Sequence, residues 1–190
     1  MPVHHQGEGT VAFTIFNDLI EGIEDNMRYI VKKMTKRQAK DISTWKYDEP
    51  YSIYDMDGSK EILDELLDGS YYAATNEKDE LIGYFCFGDA AQVPGGKQCG
   101  AYLGDDAIDI GLGMRPDLTG NGMGLNFLYK GLKFAKETFS STHIRLTVAT
   151  FNKRAIKVYE KSGFKKEKIF KSKTKKGDLE FMSMSIRFDL

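Results

Sequence analysis

Residues 107–137 read AIDIGLGMRPDLTGNGMGLNFLYKGLKFAKE, and the fold turns on how this stretch divides. Its first part alternates. Ile108, Ile110, Leu112 and Met114 fall on one face of a strand and Ala107, Asp109, Gly111 and Gly113 on the other, because successive side chains of a strand point to opposite faces. The second face carries so little bulk that something other than protein side chains is expected over it. Pro116 punctuates the strand. Beyond TGNGMG, Leu125, Leu128, Leu132 and Ala135, joined by Phe127 and Phe134, form the apolar stripe of a helix predicted from Gly124 to Thr138. Gly131 inside that helix costs roughly 1 kcal/mol relative to alanine.

A strand thus passes through Gly120, Gly122 and Gly124 into a helix N-terminus. The first N–H groups of a helix lack internal acceptors and sit at the positive end of its dipole. Glycines remove the Cβ atoms that keep a bulky anion away. The run reads either as a backbone cradle for a pyrophosphate or as a tight turn without a ligand. A P-loop requires GxxxxGK followed by Ser or Thr, and no lysine follows the last glycine here. A dinucleotide site requires GxGxxG in a parallel βαβ unit with an acid about 20 residues on. Here the spacing is GxGxG, the preceding strands read as a hairpin, and position 144 is an isoleucine.

Working outward, strands are predicted at 28–33, 71–75, 81–87, 143–150, 164–171 and 179–188, with helices at 35–44, 60–67 and 153–161. Thr35 is the N-cap candidate of the first helix. Residues 88–104 read as a glycine-rich loop. The order predicts an α/β (α+β) fold: a mixed, mostly antiparallel central sheet of about seven strands with helices on both sides. Residues 27–190 read as a single domain. Residues 1–26, polar at first and then briefly apolar, read as an N-terminal appendage, with His4 and His5 as exposed tail residues.

The whole chain has a net charge of -1, which gives no general pull toward nucleic acid or a membrane surface. Locally the balance is uneven. Asp41 to Asp68 holds nine acids against Lys46 and Lys60, a net of -7. Lys153 to Lys176 holds eleven bases against Glu160 and Glu167, a net of +9. One end of the fold is therefore expected to prefer cations and the other anions. Cys86 and Cys99 fit neither a metal spacing nor a disulfide framework, and Cys86 reads as a buried small hydrophobe. No segment is apolar enough to span a membrane and no signal-peptide pattern is present, so a cytoplasmic protein is expected.

A second constellation, LTVATFNKRAIKVYEKSGF, spans residues 146–164. Asn152 can end a strand and cap the next helix, Ala155 and Tyr159 share one face of that helix, and Gly163 ends it. With this stretch beside MRPDLTGNGMG, the chain resembles the GNAT superfamily of acetyl-CoA-dependent N-acetyltransferases. There an apolar-x-P strand end is followed by Gln or Arg, then x-x-G-x and Gly or Ala, and later by N-x-x-A-x-x-x-Y-x-x-x-G-F. The resemblance is strongest over 107–164 and extends over 27–188. It departs at Thr119, where the family has Gln or Arg, and at Asp109, where it usually has Glu. Thr147 stands where some relatives carry a catalytic Glu, so the resemblance leaves the general base open.

The resemblance implies transfer of an acetyl group from acetyl-CoA to a primary amine, of a small molecule or a protein N-terminus, by direct attack in a ternary complex. It implies no metal. Main-chain groups of Leu112 and Met114 would pair with the pantetheine. Thr119, Gly120, Asn121, Gly122, Met123 and Gly124 would hold the pyrophosphate. Asn152 and Ala155 would contact the coenzyme from the other side, with Lys153, Arg154 and Lys157 drawing the 3′-phosphate. Tyr159 would protonate the leaving thiolate. Asp109 would accept the amine's proton through water, or is a plain exposed strand residue. Trp45, Tyr47 and Tyr54, interleaved with acids, either receive a cationic amine or pack their loop on the core. Homodimers occur in such families. The competing readings are a non-catalytic acyl-CoA-binding module on the same fold and, on the glycines alone, a nucleotide-binding enzyme.

Overall fold

The computed structural model describes residues 29–104 and 106–188. The appendage expected at 1–26 lies outside the described residues. Strands β1 (Ile30–Lys33), β2 (Tyr71–Thr75), β3 (Leu81–Phe87), β4 (Ala107–Met114), β5 (His143–Ala149), β6 (Lys165–Thr174) and β7 (Gly177–Arg187) form one sheet. Its order is β1-β2-β3-β4-β5-β7-β6. Every neighbouring pair is antiparallel except β4 and β5. The helices are α1 (Lys36–Ile42), α2 (Lys60–Leu66), α3 (Pro94–Gln98), α4 (Gly124–Phe139) and α5 (Lys153–Lys161). Thr35 caps α1 as expected: its hydroxyl accepts from the Gln38 N–H while the Gln38 side chain takes the Thr35 N–H.

The sheet is covered on both faces. Phe127, Leu128 and Leu132 of α4 and Ile156 and Tyr159 of α5 pack on Phe85, Ile110, Ile144, Leu146, Met182 and Met184. On the opposite face Ala39, Ile42 and Leu66 of α1 and α2 meet Tyr71 and Cys86. Phe85 and Phe127 stack at 4.5 Å between ring centroids. Gly131 lets α4 lie this close to the sheet, because a Cβ there would stand 2.8 Å from Phe85 Cδ1 and 3.1 Å from Ile110 Cδ1. The helix-propensity loss at Gly131 is offset by contact that alanine would prevent.

Two regions differ most from the sequence reading. The stretch 88–104 is not plain loop: it holds a 3-10 turn at Gly88–Ala91 and the short helix α3. Neither carries an amphipathic period; α3 is held by tertiary contact, its Gly95 N–H donating to Ser172 Oγ of β6 at 3.0 Å. The β6–β7 hairpin is also longer than expected, leaving only Lys175 and Lys176 between its strands. Its outer end, residues 172–178, is wholly polar apart from Gly177, which hides it from a hydrophobic pattern. Lys171 faces Glu180 and Lys173 faces Asp178 across the ladder, opposite charges that favour pairing.

Candidate functional site

β4 and β5 pair only over Ala107–His143, Ile108–Ile144 and Asp109–Arg145, and then part. β4 stays paired to β3 out to Met114, and β5 to β7 out to Ala149. A wedge therefore opens in mid-sheet with strand edges on both sides. The Arg115 N–H donates to Ile82 O of β3 at 2.8 Å. Main-chain groups alternate along a strand, so those of Leu112 and Met114 turn toward the wedge. The other face of β4 departs from expectation. Protein covers it: a Cβ on Gly111 would meet Cys86 Sγ at 2.5 Å, and one on Gly113 would meet Tyr84 Oη at 2.7 Å. The small-residue face accommodates side chains of β3, not a ligand. Burial pushes the Cys86 thiol up to about 12, in keeping with an inert core residue.

Beyond β4 a 3-10 turn at Pro116–Leu118 leads into the glycine loop at the wedge's mouth. Gly120 and Gly122 have φ of +80° and +78°, a left-handed backbone that favours glycine. Among the described residues no carbonyl accepts from the N–H groups of residues 120–124, and Met123 caps α4 without a side-chain bond. A Cβ on Gly122 would have nothing within 4 Å. The loop thus presents free donors into open space at a helix N-terminus. Asn121 spends its side-chain amide on Asp117 O at 3.1 Å. Thr119 also turns inward: its hydroxyl donates to Pro116 O at 2.8 Å, so its proton is not directed at a phosphate.

α5 forms the other jaw. Asn152 caps it, Oδ1 accepting from the Ala155 N–H at 3.1 Å while Nδ2 donates to the Tyr54 hydroxyl at 3.3 Å. Ala155, half-buried, packs against the main core. Tyr159 is buried, with its ring 6.0 Å from that of Phe164. Its hydroxyl makes no hydrogen bond among the described residues. Burial, then the nearby Tyr54, raise its pKa above the ordinary phenol value.

The aromatic, acidic loop between α1 and α2 straps across the wedge. Tyr47 donates its hydroxyl to Met114 O at 2.9 Å, taking one of the main-chain groups that face the opening. Tyr54 lies against Phe151, with ring centroids 6.5 Å apart. Burial raises both phenols, with Asp55 adding to it at Tyr47. Trp45 does not join them. It packs on Tyr84 at 6.2 Å, in the cluster beneath α1 and α2, which is the packing alternative for this residue. Three of the strap's acids are used within the chain. Asp55 takes the Tyr47 N–H and pairs with Lys46, Glu49 binds Lys176, and Asp57 binds Lys175. The acidic loop and the basic hairpin turn therefore meet each other, where the sequence suggested two separate poles.

Asp109 is neither exposed nor free. It is buried where the strands part, and Arg145 holds both oxygens, Nε to Oδ1 at 2.7 Å and Nη2 to Oδ2 at 2.9 Å. Gln92 Nε2 donates to Oδ2 at 2.7 Å. Neighbours thus occupy three of the roughly four acceptor directions of this carboxylate. Tyr102 completes the network: its ring lies under Arg145, and its hydroxyl accepts from the Val93 N–H and bonds Thr147 Oγ1 at 2.8 Å. Sequence reasoning missed Arg145, Gln92 and Tyr102. Arg145 alternates with the apolar Ile144 and Leu146, but only the β4–β5 register places it beside Asp109.

Among the described residues no group of three or more His, Cys, Asp or Glu is placed to hold a metal, and no helix is long and apolar enough to cross a membrane. No curated protein matches the sequence. A solved GNAT-family acetyltransferase from Bacillus anthracis superposes with a TM-score of 0.65 at 15% identity, covering 84% of this chain and 95% of that one. Mutant forms of the spermidine/spermine N-acetyltransferase of Vibrio cholerae give a TM-score of 0.60 at 15% identity, over 84% of this chain and 95% of theirs. At these identities the likeness is one of fold. The model of the acetyltransferase (GNAT) family matches residues 37–164, more than half of the chain. That match takes in the parted strands, the glycine loop and the capped helix together, and the chain belongs to the GNAT family of acetyltransferases.

Proposed function

We propose that the protein transfers the acetyl group of acetyl-CoA to a primary amine by direct attack in a ternary complex. The observation that carries this reading is the wedge: main-chain groups of Leu112 and Met114 that have no strand partner, the Met114 carbonyl held only by the Tyr47 hydroxyl, adjoin the free N–H groups of residues 120–124. A peptide-like pantetheine can pair with the first as an added strand, while a pyrophosphate takes the second. Gly120, Gly122 and Gly124 admit the phosphates, and the N–H groups of Asn121 and Met123 serve beside them. Asn152 closes the slot from α5 once Tyr54 releases its amide.

In the reaction the amine nitrogen forms a bond to the acetyl carbon and the thioester carbon–sulfur bond breaks. The Met114 N–H faces the wedge and can stabilise the developing oxyanion. The buried Tyr159 hydroxyl gives its proton to the leaving sulfur and regains one from solvent. Arg145 and Gln92 hold the Asp109 carboxylate, so the amine's proton passes to water. Tyr47 and Tyr54 border the wedge and offer ring faces to a cationic amine. A small-molecule amine and a peptide N-terminus both satisfy this chemistry.

The test is a melting experiment with coenzyme A, acetyl-CoA, ATP and NAD in parallel, followed by thiol release from acetyl-CoA with a panel of polyamines, amino acids and peptides. A ligand that binds only the folded chain raises its midpoint. A rise with the two coenzyme A species alone, and amine-dependent thiol release, are expected. No rise with them, or a larger rise with a nucleotide, overturns the reading.

A further inference from the structure

The glycine loop has a chemical deficit: it carries no cation at Thr119, and the Thr119 hydroxyl donates within its own turn. The face of α5 that lies along the loop carries one cation. A Cβ on Gly124 would stand 3.5 Å from Val158 Cγ2, and a Cβ on Gly120 would stand 3.2 Å from Arg154 Nη1. Arg154 and Val158 are four residues apart and share that face. Among the described residues Arg154 makes no ion pair. Its guanidinium instead lies over the ring of Tyr51, 4.1 Å from the centroid, within the range of a cation–π contact. The Tyr51 ring stands 5.9 Å from that of Phe151, in the turn between β5 and α5. Tyr51, Thr119 and Arg154 border one cleft of about 350 Å³. Of the three acids that border the cleft, Asp117 is neutralised by Arg115 and Glu49 by Lys176, while Asp48 makes no ion pair among the described residues. Arg154 is thus an unpaired fork of donors, oriented by an aromatic ring, beside free N–H groups.

We propose that Arg154 supplies from α5 the positive charge that the glycine loop lacks, binding the pyrophosphate of the coenzyme, and that Tyr51 positions it. This rests on the coenzyme reading above. It assigns Arg154 to the pyrophosphate, not to the 3′-phosphate that the sequence suggested, and it makes coenzyme affinity depend on a residue of the strap.

The experiment is calorimetric titration of the full chain with coenzyme A and with 3′-dephospho-coenzyme A, which keeps the pyrophosphate and lacks the 3′-phosphate. Arg154→Ala is expected to weaken both by the same factor, about tenfold or more, as for a lost charge-assisted bond. Arg154→Lys, which keeps the charge but not the fork, should fall between. Tyr51→Leu should weaken both ligands, and Tyr51→Phe, which keeps the ring, should behave as the parent. Arg154 is exposed, so its variants should melt as the parent does. Unchanged affinity in Arg154→Ala, or a loss confined to coenzyme A, overturns the assignment. Equal behaviour of Tyr51→Leu and Tyr51→Phe removes the positioning role. A parent chain that binds neither ligand overturns the coenzyme reading itself, before any variant is compared.

Discussion

Tyr159 reaches its place through two short-range facts, the Asn152 cap and the four-residue spacing to Ala155, and one long-range fact, burial against the sheet. Burial keeps the phenol protonated well beyond neutral pH, as the proposed donor role requires. Tyr159→Phe should therefore lower kcat by about a hundredfold, the lower range for a lost general acid. Coenzyme affinity should hardly move, as checked by titration beside steady-state kinetics. Asp109 belongs to a different class of residue. Removing one partner of a buried ion pair leaves the other uncompensated, and Asp109→Asn should destabilise by about 3–5 kcal/mol. Urea unfolding measures this. A fall in kcat with unchanged stability would instead return Asp109 to the chemistry.

At the scale of the element, the strap between α1 and α2 competes with the proposed ligand. The Tyr47 hydroxyl bonds Met114 O, a group an added strand of pantetheine would need. Coenzyme entry then requires the strap to shift or Tyr47 to turn away. Tyr47→Phe removes the competing bond and keeps the ring. A hydrogen bond of this kind contributes about 0.5–1.5 kcal/mol net, so coenzyme A should bind roughly two- to tenfold more tightly to this variant in titration. Weaker binding would show that Tyr47 aids the coenzyme. The strap's exposed ion pairs to Lys175 and Lys176 are screened by solvent and set its position more than its stability.

For the whole molecule, the buried phenols set a pH limit. Burial raises the pKa values of Tyr47, Tyr54, Tyr84 and Tyr159. In the unfolded chain these groups ionise near about 10. Above that pH the folded chain holds more protons than the unfolded one, so stability falls as pH rises. The contribution is complete below about pH 10 and is lost progressively above it. Melting midpoints measured from about pH 8 to about pH 11 should fall steeply in the parent and less steeply in Tyr159→Phe. Parallel curves would mean that this phenol ionises freely in the folded state.

The sequence by itself determined the elements whose signals are local. The alternation of 107–114, the stripe of α4, the Thr35 and Asn152 caps and the left-handed glycines are written in neighbouring residues, and with them came the sheet, its flanking helices and the loop facing a helix N-terminus. Tertiary structure decided what depends on register and approach. Asp109 meets Arg145 because β4 and β5 align for three residues before parting, and no local pattern encodes that alignment. Arg154 meets Gly120, and Tyr47 meets Met114, across elements far apart in the chain. The acidic loop and the basic turn, opposite poles when counted along the sequence, neutralise each other because folding sets them face to face. Side-chain chemistry is a property of each residue, but which partners satisfy it is a property of the packed chain.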